Sequence, residues 1–433
     1  AGHVVRVSPN ELSFASAESW KDIYSIPVSG QKPFVKSDFY SMFGAGFKAR
    51  CIGSERDPRK HRRIRGLLNS CFSYRTLLEQ ENILHPLMDN FVEAFQPSNA
   101  EKEKIMDMTA WYGMLGFDLM GEMSFGESFY AIQSGRPHFW TSLITNHLFF
   151  VMVADNLRRL PLIPTIAPYL VPAMRTLQNK HMAYTRDKVE KRLTGINARK
   201  DFLTTIVPKV HAGEMSKDEL IANASTLILN IASIGGGDSV VSVFCGTTFH
   251  LLSPASHAKL AKVKQEVRSR FESYDAIRFS DAQHLPYLQA VIKEGMRIFP
   301  PGFGLPRISP GATISGTFVP QGTEVYTSPW PISRNPKYYH LPHSFEPERW
   351  LVQPDGSIGS PEFSSDVRTA GQPFLLGPHM CIGQNFAMME MTLVLAKLVW
   401  RYDMELVDEE QYWPAECRSH LMWNKPPLMV RFK

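Results

Sequence analysis

From Glu219 to Leu252 the chain reads as one helical pattern that is apolar on nearly every side. Such a helix cannot lie on a surface, so it has to run through the centre of whatever the chain folds into. Other segments with helical spacing or helix-start signals surround it, at 58–72, 76–95, 108–123, 138–155 and 172–193, and the central pattern itself opens at Ser216. Strand signals are short. Residues 4–7 look like a first strand. Residues 312–314, 317–319 and 323–326, separated by Gly316 and by Pro320-Gln-Gly322, predict small antiparallel turns. Residues 349–371, with Pro354-Asp-Gly356 and several serines, read as irregular coil. No internal repeat or low-complexity linker divides the sequence, which predicts a mainly α, single-domain fold over residues 1–433 with a minor antiparallel β region.

The composition, 44% hydrophobic and 21% charged, belongs to a globular chain, and a net charge of +5 is too mild to suggest a nucleic-acid binder. Cys51, Cys71, Cys245, Cys381 and Cys417 are odd in number, scattered and never in a C-x-x-C pair. Neither a disulfide framework nor a zinc cluster follows, and a reducing compartment is expected. No secretory signal and no apolar span of about twenty residues opens the sequence.

The centre of the long helical pattern reads Ala232-Ser-Ile-Gly-Gly-Gly-Asp-Ser-Val-Val241. Three helix-interior glycines cost about 1 kcal/mol each relative to alanine, so something needs to approach that backbone closely. Asp238 and Ser239 follow at once. A helix break capped by Asp238 is the plain alternative. A second signal is Cys381, in Pro373-Phe-Leu-Leu-Gly-Pro-His-Met-Cys-Ile-Gly-Gln-Asn-Phe-Ala387, ahead of another apolar helical pattern. A helix N-terminus lowers a thiol's pKa and offers N–H groups to its sulfur, with Gly383 letting the backbone come close. Gly377 bends the chain and Phe374 offers a flat shielding face. Alone, a cysteine before a helix is as well read as a small core residue.

The surrounding residues change that balance. Phe374, Gly377, Cys381, Gly383 and Ala387 fit F-x-x-G-x-x-x-C-x-G-x-x-x-A, which resembles the haem-binding loop of the cytochrome P450 superfamily. There the cysteine thiolate is the axial ligand of the haem iron. Gly235 to Val240 resembles the family's oxygen-binding kink, A/G-G-x-D/E-T-T, with serine and valine standing where two threonines are usual. The resemblance gives Asp238 and Ser239 the task of organising the waters that deliver protons. Lys293-Glu-Gly-Met-Arg297 and Phe345-Glu-Pro-Glu-Arg-Trp-Leu351 supply Glu294, Arg297 and Arg349 in the pattern of the family's buried structural triad. As a lone pair, Glu294 and Arg297 would read as a surface salt bridge.

The same resemblance implies haem b as cofactor. Its propionates would be held by His61 and Arg65, from Arg59-Lys-His-Arg-Arg-Ile-Arg65, by Arg307 and by His379, which stands where arginine is usual. Phe43, Phe47, Phe149, Phe150, Leu229, Ile234, Phe303 and Leu305 are candidate substrate contacts, each equally readable as core. The partners implied are a hydrophobic small molecule, O2 and an NADPH-dependent flavoprotein reductase that docks on Arg59, Lys60, Arg62 and Arg63. A monomer without nucleic acid is expected. Trp111 to Phe129 and Ile332-Ser-Arg-Asn-Pro336 look closest to membrane-anchored fungal enzymes of secondary metabolism, so an anchor helix preceding this sequence and an endoplasmic-reticulum location facing the cytoplasm are expected. Monooxygenation, with hydroxylation as the default, is the implied activity. Ring closure, desaturation or aromatic coupling on the same haem is the alternative, and a non-catalytic haem sensor a third. Gly44-Ala-Gly-Phe-Lys-Ala49 fits a dinucleotide fingerprint, but residues 37–42 ahead of it make no strand, so no NAD site is assigned.

Overall fold

Helix caps in the sequence set where the fold's main elements begin. The computed structural model describes residues 2–44, 47–98, 100, 102–138, 152–153, 155–157, 159, 179, 182–193, 201–229, 237–353, 356 and 359–433, and the side chains at 42–44, 227–229, 237 and 420 fall outside that set. Helix α1 is Ala17–Tyr24. Helix α2, Pro58–Leu68, starts on a proline, with the Asp57 carboxylate accepting from the N–H groups of Arg59 and Lys60. It runs on as a tighter turn, Asn69–Phe72, to the predicted limit. Ser73 caps α3, Tyr74–Glu93, and Asp107 caps α4, Met108–Phe125. Asp201 and Thr204 form a capping box on α5, Phe202–His211. The remaining long helices are α6, Lys217–Leu229; α7, Gly237–Leu252; α8, His257–Arg270; α9, Pro286–Ile298; and α10, Gln384–Arg401.

The long apolar pattern thus becomes α6 and α7, and residues 230–236 between them, including the first two glycines of the kink and Ile234, lie outside the described residues. Helix α7 is central as expected. Val240, Val241, Val243, Phe244, Cys245 and Leu251 are all buried, and Phe244 stacks on Tyr112 of α4 with ring centroids 4.7 Å apart. Its contact with α9 depends on glycine. A Cβ at Gly246 would lie 2.5 Å from the Phe299 Cβ, and one at Gly295 would lie 1.9 Å from the Thr247 hydroxyl oxygen. The backbones meet closely because neither residue has a side chain.

A five-stranded sheet runs, edge to edge, Val4–Ser8, Glu11–Phe14, Glu324–Thr327, Arg307–Ile308, Val35–Lys36. Ala312–Ile314 and Thr317–Val319 pair as the predicted antiparallel hairpin. The third predicted strand differs: Glu324–Thr327 leaves that hairpin to join the larger sheet, where it runs parallel to Glu11–Phe14. Short-range turn signals locate a strand but carry no information on a partner three hundred residues away. Smaller sheets are formed by Lys104–Asp107, Met429–Phe432 and Met404–Leu406, and by the hairpin Arg418–His420 with Met422–Asn424. The described residues of 349–371 carry isolated turns, at Pro347–Trp350, Pro361–Phe363 and Arg368–Ala370.

Glu294, Arg297 and Arg349 meet in the interior, so the surface-salt-bridge reading does not apply. The Glu294 carboxylate accepts two bonds from Arg297, at 2.7 and 2.8 Å, one from Arg349 at 3.2 Å, one from the Trp350 indole at 2.8 Å and one from the Glu346 N–H at 2.7 Å. Arg297 also donates to the carbonyls of Ser333, Pro342 and Ser344, and Arg349 to Asp366. Buried charge of this kind is costly unless every lone pair and proton is used, and here the connections tie α9 to the coil that leads to Cys381.

Glu390 on α10 is also buried, and burial alone pushes its carboxyl up to about 8. An acid whose folded pKa exceeds its unfolded value contributes stability that is complete below the unfolded pKa and lost as pH rises to the folded one. Between about pH 4.5 and 8 the Glu390 contribution should therefore fall by about 1.4 kcal/mol per pH unit. Thermal unfolding of Glu390→Gln against the parent across this range checks it: the variant's relative stability should grow with pH and level off above 8.

Candidate active site

Cys381 sits on the short link between the turn Gly377–His379 and the N-terminus of α10. Its N–H donates to the Phe374 carbonyl at 2.8 Å, which folds the loop back on itself. Gly377 is the residue this loop requires. It has a left-handed φ of 67°, and a Cβ there would come within 2.2 Å of the Tyr24 carbonyl oxygen. Gly383 is less constrained than expected, because it has no left-handed φ and its nearest neighbour to an added Cβ is the Cys381 sulfur at 3.9 Å. Its useful group is its N–H, which bonds the sulfur.

The expected lowering of the thiol pKa is not what the structure gives. Burial pushes the Cys381 thiol up, outweighing the Gly383 N–H and the Arg65 charge that pull it down. A thiolate is retained there only with a cation beside it. The sulfur faces a cavity of about 300 Å³ whose wall also carries Ser239 and Val240 of α7, Phe303 and Leu305 after α9, Phe374, and His379. Tyr40 and Gln372 add polar groups to a lining that is otherwise mostly apolar.

A cationic cluster lies at the edge of the same cavity. Lys36 and Arg307 are directly opposed residues on neighbouring antiparallel strands, and both are buried. Like charges in that register repel. The Lys36 ammonium and the Arg307 guanidinium lie 5.2 and 5.3 Å from the ring of the same Tyr40, whose hydroxyl accepts from Arg307 at 2.7 Å. Lys36 donates to the carbonyls of Ile52 and Gly53, at 2.7 and 2.8 Å. Neither cation has a carboxylate ion-pair partner among the described residues, and the buried Arg307 Nε has no acceptor at all. Burial, then the Arg307 charge, pulls the Lys36 ammonium down to about 7. His61 and His379 face one another, ring nitrogens 3.2 Å apart. Burial first, and then the charges of Lys36, Arg307 and Arg65, drives His61 down to about 3 and His379 lower still, so both imidazoles are neutral. Arg65 reaches the Met380 carbonyl beside the cysteine.

A model of the family Cytochrome P450 matches residues 2–432. The chain belongs to the cytochrome P450 family. Among its relatives, cytochrome P450 monooxygenase ORF9 of Penicillium roqueforti is 47% identical over all of this chain and 82% of its own length. Cytochrome P450 monooxygenase BOT4 of Botryotinia fuckeliana is 45% identical over all of this chain and 79% of its own. Cytochrome P450 monooxygenase BOA3 of the same fungus is 36% identical over all of this chain and 84% of its own. The chain is therefore an oxidoreductase of the monooxygenase type, and the sensor reading is set aside. P450 membership implies a haem iron, O2 and a reductase partner. The residues fit a haem: the Cys381 sulfur faces the apolar cavity, and at its edge the buried Arg307 Nε has no acceptor.

Asp238 does not line the cavity with Ser239. Its carboxylate is turned to Lys425, which also donates to the Ser242 hydroxyl at 3.2 Å and the Trp423 carbonyl at 2.9 Å. Of the proposed substrate contacts, Phe303 and Leu305 face the cavity, and Phe47 packs partly buried against the main core. Phe149, Phe150 and Ile234, and the side chains of Phe43 and Leu229, lie outside the described residues. The dinucleotide decoy follows a tight 3-10 turn, Asp38–Gly44, and no long strand. Arg59, Lys60, Arg62 and Arg63 of α2 are all exposed, and Arg63 also pairs with Glu219 at 2.7 Å. Among the described residues no helix is long and apolar enough to cross a membrane.

Sequence reasoning missed Lys36, Tyr40 and Lys425. Removing one of two opposed cations has opposite consequences with and without a dianion. Lys36→Met should raise the thermal midpoint of the haem-free protein. In the loaded protein the same change, like Arg307→Met, should speed haem transfer to apomyoglobin about tenfold, the worth of one charge-assisted contact.

Proposed function

We propose that this P450 holds haem b and hydroxylates an apolar natural product in fungal secondary metabolism. The observation that carries the reading is the single apolar cavity wall shared by Cys381 and Ser239. When bound, the thiolate-ligated haem supplies the activation of O2 and its transfer to a C–H bond. Cys381 provides the sulfur, with the Gly383 N–H bonded to it and Phe374 against it. Lys36, Arg307 and Arg65 neutralise the propionates, and the neutral His61–His379 pair donates one hydrogen bond to them. Phe303, Leu305, Val240 and Val243 exclude water and orient the substrate by shape, because an apolar ligand offers nothing else to hold.

Ser239 holds a water at the cavity wall, and Asp238, with about a quarter of its side chain exposed, passes protons inward to it from solvent. Serine keeps the hydroxyl of the usual threonine but lacks the methyl that fixes its rotamer. Looser proton delivery is the feature that favours a second reading, in which ring closure, desaturation or coupling replaces oxygen insertion. The reductase docks over exposed Arg59, Lys60 and Arg62, and an anchor places the enzyme, as a monomer, on the cytoplasmic face of the endoplasmic reticulum.

The test is a panel of terpenoids, polyketides and alkaloids scored by the Soret shift on binding, followed by turnover under labelled O2. One labelled oxygen in the product supports hydroxylation, and a product two hydrogens lighter without label supports the second reading. Cys381→Ser should abolish the thiolate-type Soret band of the ferrous–CO complex, and survival of the band would remove the sulfur from its assigned place. Asp238→Asn should slow turnover several-fold with binding kept, while Ser239→Thr should raise product formed per NADPH. If neither the rates nor the ratios move, proton delivery runs elsewhere.

A further inference from the structure

The ion pair between Lys425 and Asp238 ties α7 to the cavity-lining strand Met422–Asn424. Lys425 follows the strand Met422–Asn424, and Met422 lines the cavity. The Trp423 indole donates to the carbonyl of Pro300, another cavity residue, at 2.9 Å, and its ring packs between Phe299 and Trp330 with centroids 5.0 Å from each. The strand is thereby fixed against the segment after α9. From it the Lys425 side chain, only 3% exposed, reaches across to α7 and spends its donors on the Asp238 carboxylate, the Ser242 hydroxyl and the Trp423 carbonyl. Ser242 in turn donates to the Asp238 carbonyl at 2.7 Å. One acid of α7 is thus gripped by a buried cation carried on a different, cavity-lining element.

A buried ammonium beside a partly exposed carboxylate fixes the carboxylate's direction. Without it, Asp238 would turn to water, since that costs a surface acid little. We infer that Lys425 is the positioning residue of proton entry: it holds the Asp238 carboxylate at the mouth of the route to Ser239, and the strand bearing Met422 sets where that carboxylate stands. The inference rests on the proposed relay through Asp238. Each proton that Asp238 gives up inward is replaced from bulk water, and Lys425 acts by charge and geometry.

The holoenzyme with an NADPH-dependent flavoprotein reductase tests this without a known substrate. Unproductive turnover, NADPH + O2 + H⁺ giving NADP⁺ + H2O2, is followed as NADPH consumed in H2O and in D2O. Lys425→Met should slow it at least threefold and enlarge the solvent isotope effect, as Asp238→Asn does. The double variant should be no slower than either single one, because both act on one step, and Lys425→Arg should restore the parent rate. In thermal unfolding, Lys425→Met should lower the midpoint by several degrees, and adding Asp238→Asn should recover part of the loss. An unchanged rate and isotope effect in Lys425→Met, with Asp238→Asn still slow, overturns the inference alone, even if the midpoint falls. If Asp238→Asn is also unaffected, the relay itself fails and the inference with it.

Discussion

The site is built from two opposite electrostatic deficits held a short distance apart. At its floor is a thiol whose pKa burial pushes up against the pull of the Gly383 N–H and the Arg65 charge. At its edge Lys36 and Arg307 are forced into direct cross-strand opposition with no carboxylate between them. Each arrangement is unfavourable by itself, and both are relieved by one planar group that is cationic at its centre and anionic at its rim. The remaining architecture serves to hold the two deficits in place. The five-stranded sheet sets the register of the cations, and the buried carboxylate–guanidinium network around Glu294 fixes the coil that delivers the cysteine.

What the sequence made legible follows from the range of the signal. The cysteine loop, the two segments of the triad and the basic turn of α2 are local motifs, legible through their resemblance to a family, whereas Glu294 and Arg297 alone read as a surface pair. The hairpin at 312–319 likewise declares itself through Gly316. Lys36 carries no such signature, because its importance comes from pairing with a strand far along the chain. Lys425 is the same kind of case: nothing in Trp423-Asn-Lys-Pro-Pro427 says that its ammonium crosses to α7. At the Cys381 thiol two effects oppose each other. A helix N-terminus favours a thiolate in principle, yet desolvation is the larger effect here, and its size depends on packing that a linear pattern does not contain.

The His61–His379 contact shows how one change of residue alters its neighbours. Arginine at 379 would have supplied a permanent charge. Burial against His61 and three nearby cations drives the imidazole's pKa down, and in the proposed haem complex the charge is supplied by Lys36, Arg307 and Arg65 instead.

Tyr24 carries a consequence for the order of assembly. Its carbonyl oxygen closes over Gly377, its hydroxyl donates to Leu305 at 2.8 Å and accepts from the Thr327 N–H at 3.2 Å, and its ring lies 5.2 Å from the Arg307 guanidinium. The end of α1 is therefore packed against the Cys381 loop and the Arg307 strand, both hundreds of residues further along the sequence. Contacts of such sequence separation form late, after the entropy of closing the long intervening loop has been met. This edge of the cavity therefore takes its shape only as the whole fold closes, however early the local signals of α1 could form a helix.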